Sequence, residues 1–307
     1  MKFITNSNDL SKYLDTPIKK NIQIKDISID SRTIKKDSLF IAINGENFNG
    51  NDYVDEAIHK GACLVITDSK KYKTSKNKNI IYVNNSISAL KKITSNILKS
   101  FDGNVVGITG SNGKTTTTKI IANVLSKSSS TLNNYNNEIG MPLSIFNAKQ
   151  NSKNLVIEMG AAKPGDIKYL SSILKPNIGV ITNIGNSNLE KLKNIKGVLK
   201  VKSELVSNIK NGGYLVVPNE NKEHLKFWKK IIRGKELITF GTEKNADFYA
   251  INIKSSIKKQ EFNIISDKYN IDHKIKTSLS GVHNIKNILA AFAVSYFNPF
   301  IIGGRVW

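Results

Sequence analysis

From Asn104 onward, short uninterrupted apolar runs alternate with stretches whose apolar positions recur every three or four residues. The runs are VVGIT, NLVIEMG, NIGVITNIG and GGYLVVPN. Amphipathic segments at 114–127, 165–174 and 195–209 fit between them as helices. This alternation predicts a largely parallel sheet, and uniformly apolar strands are what burial on both faces requires. Residues 236–280 are richer in strand pattern, and HNIKNILAAFAVSYF closes the region as a helix.

Upstream, residues 1–84 read as a smaller α/β unit. Short strands are expected around Ile27 and over 39–43, and again in CLVITD and IIYV. Between them, YVDEAIHKGA is a helix ended by Gly61. SISALKKITSNILKSF has helical spacing and reads as a connection. The expected architecture is therefore α/β throughout. It has an N-terminal domain over 1–84, a connecting helix over 85–103, a central domain with a mostly parallel sheet over 104–297, and an atypical tail over 298–307.

Composition narrows the function classes. At 307 residues the chain has room for about two domains. No apolar run approaches the ~18 residues of a membrane span, and MKFITNSNDLSKYL lacks the apolar centre of a signal peptide. Cys63 is the only cysteine, which excludes intrachain disulfides and cysteine-based metal sites. A cytoplasmic protein without membrane insertion is expected. The net charge of +22 raises the possibility of nucleic acid. However, Arg occurs only at 32, 233 and 305, and the Lys residues are scattered among Asn and Ile, as in an AT-rich coding sequence. Nucleic-acid binders cluster their bases and use Arg for bidentate contacts, so no specific nucleic-acid partner is expected.

The strongest chemical signal is VVGITGSNGKTTTTKIIANVL, 105–125: strand, Gly-rich turn, helix. Backbone N–H groups in such a turn can surround phosphate oxygens, with the helix N-terminus adding partial positive charge. Small and polar residues from Thr109 to Gly113 form the turn. Lys114 would reach phosphate, and the Thr115 hydroxyl would hold Mg²⁺. The usual spacing wants Gly where Ile108 stands, so the loop is a variant.

Further motifs follow in order: NNEIGMP (136–142), VIEMGAAKPGDI (156–167), TNIG (182–185), VKSEL (201–205) and GVHNIKNILAA (281–291). Upstream stand DSR (30–32), SLFIAINGENFNGNDY (38–53) and AIHKGA (57–62). Together they resemble the Mur ligases of peptidoglycan synthesis. NNEIGMP and EMG point to the branch that joins D-alanyl-D-alanine to UDP-N-acetylmuramoyl-tripeptide. The resemblance implies an ATP-dependent amide ligase. ATP phosphorylates a substrate carboxylate, an amine attacks the acyl phosphate, and amide, ADP and phosphate result. Charge collects on phosphoryl oxygens, so positioning and metal ions carry the catalysis.

By that resemblance, Lys114, Lys202 and Glu158 are the catalytic residues, and Gly110, Ser111, Asn112, Gly113 and Thr116 form the ATP-binding loop around Lys114. Thr115 and Glu158 bind a first Mg²⁺, and Lys202 becomes a carbamate that serves a second. His283, Asn284 and Asn287 lie by adenine and ribose. Ser31 and Arg32 contact the UDP-sugar substrate, and Asn136 and Asn137, in a loop near the substrate and the metal, donate to phosphate or to the substrate carboxylate. From the residues alone, Glu158 also fits a solvated strand end. Asn136 and Asn137 also fit a turn, Asp30 a turn cap, and Asn287 a packed helix face. Asn49 and Asn51 stand where relatives have Asp and His, and Asn188 stands where they have a metal-proximal His.

The family continues into a third, Rossmann-like domain that binds the amine substrate. NPFIIGGRVW does not resemble that continuation. The expectation is a truncated or frameshifted chain that binds ATP and UDP-N-acetylmuramoyl-tripeptide but ligates D-alanyl-D-alanine negligibly alone. Two other readings stay open. One is another amide ligase of the same superfamily, such as a folylpolyglutamate synthase-like protein, which the DSR and SLFIAING segments argue against. The other is a non-catalytic remnant that binds nucleotide or UDP-sugar.

Overall fold

The structure, a computed structural model, describes residues 3–18, 21–45, 48–186, 192, 194–256 and 259–299. The chain divides into two compact units, one of residues 1–101 and 138–151, the other of 102–137 and 152–307.

The first unit is built on a parallel four-stranded sheet in the order β1-β2-β3-β4. Its strands are β1 (Asp26–Ser28), β2 (Ser38–Ile41), β3 (Ala62–Thr67) and β4 (Ile80–Tyr82). Its helices are α1 (Ser7–Leu14), α2 (Val54–His59), α3 (Ser86–Ser100) and α5 (Gly140–Phe146). Asn6 caps α1 through the N–H groups of Asn8 and Asp9, and Asn85 caps α3 through that of Ser88. Phe40, Val54, Ala57 and Val65 lie in the core. The segment read as a connecting helix is α3, and it belongs to this unit. Its Leu90, Ile93 and Ile97 are buried, and it packs on α1 and α5. Residues 138–151 also fold here, as a return of the chain that the expected boundaries do not contain. All seven residues of α5 are buried.

The second unit holds a nine-stranded sheet in the order β13-β12-β11-β10-β9-β8-β5-β7-β6. The strands are β5 (Asn104–Thr109), β6 (Ser128–Ser130), β7 (Asn154–Glu158), β8 (Ile178–Ile181), β9 (Tyr214–Pro218), β10 (Glu236–Gly241), β11 (Phe248–Ser255), β12 (Gln260–Ser266) and β13 (Ile271–Thr277). Pairing is parallel from β6 to β11 and antiparallel from β11 to β13. The fully buried β5, β7 and β8 are the apolar runs of the sequence. In β12 burial alternates residue by residue, as a sheet with one solvated face requires.

The helices of this unit are α4 (Lys114–Val124), α6 (Asp166–Leu174), α7 (Ile195–Ser203), α8 (Lys222–Ile231) and α9 (Val282–Tyr296). The segment expected as one helix to 209 turns into a 3₁₀ helix after Ser203. Helix α8 was not expected from the pattern. Its anchor is Trp228, fully buried, whose indole N–H donates to the Ser203 hydroxyl at 2.8 Å. Asn298, assigned to the atypical tail, is buried and donates to Asn154 Oδ1 of β7 at 2.7 Å. Among the described residues, no helix is long and apolar enough to cross a membrane.

Candidate functional site

In the second unit, β5 lies between β7 and β8, so the chain order reverses around it. Open α/β sheets bind ligands at the carboxyl ends of strands at such a point. The loop from β5 to α4 begins there. Gly110 and Gly113 both have positive φ, +148° and +77°. A Cβ on Gly110 would collide with the Thr182 hydroxyl, so both backbone conformation and space demand glycine.

The strip after β8 holds this loop. The Ser111 hydroxyl donates to the Gly185 carbonyl and accepts from the Gly185 N–H, both at 3.0 Å. The Asn112 N–H donates to Asn183 Oδ1 at 2.8 Å, and the Thr182 hydroxyl donates to the Asn112 carbonyl at 2.6 Å. Lys114, the first residue of α4, curls back. Its Nζ donates to the carbonyls of Gly110 at 3.0 Å and Ser111 at 3.2 Å. Burial lowers its pKa, with the Glu158 carboxylate acting in the opposite direction. Thr116 is half-buried on the same turn.

Strands β5 and β7 pair with Ile108 beside Glu158, which sets this carboxylate at the strand end next to the loop. Glu158 is 3% exposed. The Thr115 hydroxyl donates to its Oε2 and the Asn136 amide to its Oε1, each at 2.8 Å. Of the two readings open for Glu158, the solvated strand end is ruled out by this burial. Asn137 is exposed beside Asn136.

The match to known families is now interpretable. The Mur ligase middle domain model matches residues 108–295, and the Mur ligase family catalytic domain model matches residues 23–99. The chain belongs to the Mur ligase family. A UDP-N-acetylmuramoyl-tripeptide--D-alanyl-D-alanine ligase of Buchnera aphidicola subsp. Baizongia pistaciae is 35% identical over 278 residues, which cover 90% of this chain and 60% of the relative. The enzyme of the same name from Bacillus subtilis is 30% identical over 291 residues, covering 92% and 61%. The crystal structure of a MurF ligase from Thermotoga maritima in complex with ADP superposes with a TM-score of 0.77 at 29% identity, covering 88% of this chain and 62% of that one. MurF from Acinetobacter baumannii shares the fold, with a TM-score of 0.83 at 24% identity over 94% of this chain and 63% of that one. The chain spans about 60% of the length of the curated relatives it matches.

In this member of the family, Lys202 sits near the end of α7 and is 2% exposed. Burial pulls its pKa down to about 8. The Lys114 charge acts in the same direction, and Asp166 and Glu204 act against it. The surroundings are clamped by those two carboxylates. Glu204 accepts from the N–H groups of Gly165 at 2.8 Å and Lys168 at 2.9 Å, capping α6. Asp166 accepts from those of Ala162 and Lys163 at 2.8 and 2.9 Å. Asn188 lies outside the described residues.

On α9, Asn287 is packed against α4. It is 7% exposed, its Oδ1 accepts from the Thr117 hydroxyl at 3.2 Å, and its amide donates to Asn284 Oδ1 at 3.2 Å. It thus fastens α9 to α4. Asn284 itself donates to the Ser280 carbonyl at 2.7 Å, and His283 is exposed.

The first unit carries Ser31 and Arg32 on a 3₁₀ turn. Ser31 is 2% exposed, so its side chain is withdrawn from the surface. Asp30 caps the turn through the Arg32 N–H at 2.9 Å, and it also binds the guanidinium twice, at 2.9 and 2.7 Å. That pairing holds the Asp30 carboxyl below its usual range. Asn51 forms a separate knot. It donates to Asp68 Oδ1 at 2.7 Å and accepts from the Thr67 hydroxyl at 2.6 Å, while Asp68 accepts from the Ser86 N–H at 3.0 Å. Asn51 thereby ties the end of β3 to the start of α3.

Four residues that shape the site carried no assigned role in the sequence. Thr182 and Asn183 fall in TNIG, and Glu204 in VKSEL, so motif membership was their signal. Thr131, whose hydroxyl accepts from the Glu158 N–H at 2.7 Å, had none, because only strand register brings it there.

Proposed function

We propose that this chain carries the ATP and UDP-sugar-peptide sites of an amide ligase that joins D-alanyl-D-alanine to UDP-N-acetylmuramoyl-tripeptide in the cytoplasm. One observation carries the reading. A glycine loop, a lysine curled onto it, and a Thr115–Glu158 pair converge at one strand end, in a chain 35% identical to a ligase of that name.

The loop N–H groups at the start of α4 are suited to receive phosphate oxygens. Lys114 exchanges its two carbonyl partners for phosphate when nucleotide enters. Thr115 and Glu158 fit a hard cation, since they offer only oxygen. Among the described residues no group of three or more His, Cys, Asp or Glu could hold a metal by itself. A Mg²⁺ held by Thr115 and Glu158 would take its remaining ligands from substrate phosphate and water, and would neutralise charge on phosphoryl oxygens. Lys202, with its pKa near 8, is partly uncharged at neutral pH. Its free amine can attack CO₂, forming an N–C bond and releasing a proton to solvent, which leaves an anionic carbamate. His283 and Asn284 flank the adenine side, and Arg32 offers a guanidinium to the UDP diphosphate.

Calorimetry with the 307-residue protein tests the reading. MgATP binds the unaltered chain, and Lys114→Ala removes binding while leaving the melting temperature in place. Absence of binding to the unaltered chain, or full binding to the variant, refutes it. Thr115→Val weakens Mg²⁺-ATP more than Mg²⁺-free ATP, and equal losses count against the metal role. Phosphate release that requires UDP-N-acetylmuramoyl-tripeptide then identifies the acyl substrate.

A further inference from the structure

The geometry points to Asn136 as a positioning residue that aims the Glu158 carboxylate, in place of the substrate contact its motif suggests. The inference rests on the reading of Glu158 as the carboxylate that holds a cation. Residues 131–136 are zipped along the end of β7. The Thr131 N–H donates to the Val156 carbonyl at 3.1 Å, and the Thr131 hydroxyl accepts from the Glu158 N–H at 2.7 Å. The Asn136 carbonyl accepts from the Gly160 N–H at 2.8 Å. From that fixed backbone, the Asn136 amide reaches Glu158 Oε1 at 2.8 Å.

The close approach is built into the chain. A Cβ on Gly160 would lie 2.8 Å from Asn136 Oδ1, so a side chain there would push the asparagine away. Thr115 serves the other carboxylate oxygen at 2.8 Å. With one donor on each oxygen, the buried carboxylate is held in one orientation. Removing the Asn136 donor leaves Oε1 buried without its partner and frees the group to turn. Partners that orient a metal-binding group behave this way: their loss typically lowers metal affinity about tenfold or more.

The test compares Asn136→Ala and the isosteric Asn136→Asp with the unaltered protein. The readouts are a Mg²⁺ titration of a fluorescent ATP analogue, the same analogue in EDTA, and calorimetry with UDP-N-acetylmuramoyl-tripeptide. Both variants need about tenfold more Mg²⁺ for half-saturation, with Mg²⁺-free nucleotide and sugar-peptide affinities changed less than about twofold. Asn136→Asp keeps the backbone bonds of the loop and replaces a donor with an acceptor facing Glu158, so it gives the shift even if the alanine variant folds poorly. Loss of sugar-peptide affinity with an unmoved Mg²⁺ midpoint overturns the proposal, as does no change in either. Ligand-free crystal structures add a readout independent of binding. The Glu158 carboxylate turns away from its original position in both variants, and an unmoved carboxylate also overturns the proposal. If the unaltered protein shows no Mg²⁺-dependent nucleotide binding, the nucleotide reading fails, and these ligand-free structures still decide the role of Asn136.

Discussion

The glycine-loop end of the second unit and the Ser31–Arg32 turn of the first were both marked by sequence motifs, yet their residues are held in different ways. Around the loop, Ser111, Asn112, Lys114, Thr115 and Glu158 each have partners from another element or from the loop itself, and Glu158 and Lys202 are nearly inaccessible. On the turn, Arg32 pairs with its neighbour Asp30 alone among the described residues, and its side chain is 84% exposed. The first arrangement is organised before any ligand arrives. The second leaves its charged group in water, where an ion pair contributes little. Preorganisation on strand ends and helix starts is what chemistry on phosphate needs, whereas an exposed guanidinium suits a contact made on arrival.

The largest effect expected from this contrast belongs to Gly110→Ala. The backbone there is at φ +148°, and the added methyl meets the Thr182 hydroxyl. Strain and overpacking together cost about 4 kcal/mol, measurable by urea denaturation, and nucleotide binding disappears with the loop geometry. A stable variant that binds ATP normally would show that the loop is not held as rigidly as its contacts imply.

Lys202 gives the next largest effect, and a pH signature with it. Its folded pKa of about 8 lies below the ordinary lysine value of 10.5. Between these two values the unfolded chain holds a proton that the folded chain has released. Raising the pH across this window therefore favours folding, and below pH 8 the buried charge opposes folding most. Integrated over the window, the gain is about 3 kcal/mol. In CO₂-free buffer, Lys202→Met is more stable than the unaltered chain at pH 7, and the difference shrinks toward pH 10. A difference that stays constant with pH would sink the assignment of a buried, charge-disfavouring site.

Glu204→Ala is expected to cost about 1 kcal/mol, because the two N–H groups at the start of α6 lose their acceptor. Melting curves check it. A neutral result would place the rigidity of the 161–168 loop in Asp166 alone.

These partners also mark the limit of what is legible in the chain. The central sheet could be read because β5, β7 and β8 are buried on both faces and leave continuous apolar runs. The loop could be read because φ > 0 and close packing force glycine at 110 and 113. Helix α8 left a weaker trace: half of KEHLKFWKKI is charged, and Trp228 is its one buried residue. The return of residues 138–151 to the first unit left none, since an apolar helix such as α5 does not say which core it enters. Site chemistry divides in the same way. Lys114, Thr115 and Glu158 belong to motifs. Asn136 and Asn287 were also in motifs, but their amides are engaged by Glu158 and Thr117, and register and helix packing decide that, not local pattern.

The smallest structural effect is expected at Arg32, and it tests the other half of the contrast. Its guanidinium is exposed and makes two bonds to Asp30, whose N–H capping of the turn does not require the arginine side chain. Arg32→Ala should therefore leave the melting temperature unchanged within error, because water replaces both bonds. Its functional effect should be larger. If the guanidinium meets the diphosphate of the UDP-sugar, it exchanges a neighbouring carboxylate for the incoming phosphate anion, and affinity for UDP-N-acetylmuramoyl-tripeptide falls about tenfold on its removal. ATP affinity stays as it was. Arg32→Lys restores the charge but not the bidentate geometry, and should recover only part of the loss. An unchanged affinity in Arg32→Ala would reduce the turn to a surface ion pair, and the sugar-nucleotide contact would then have to be sought elsewhere in the first unit.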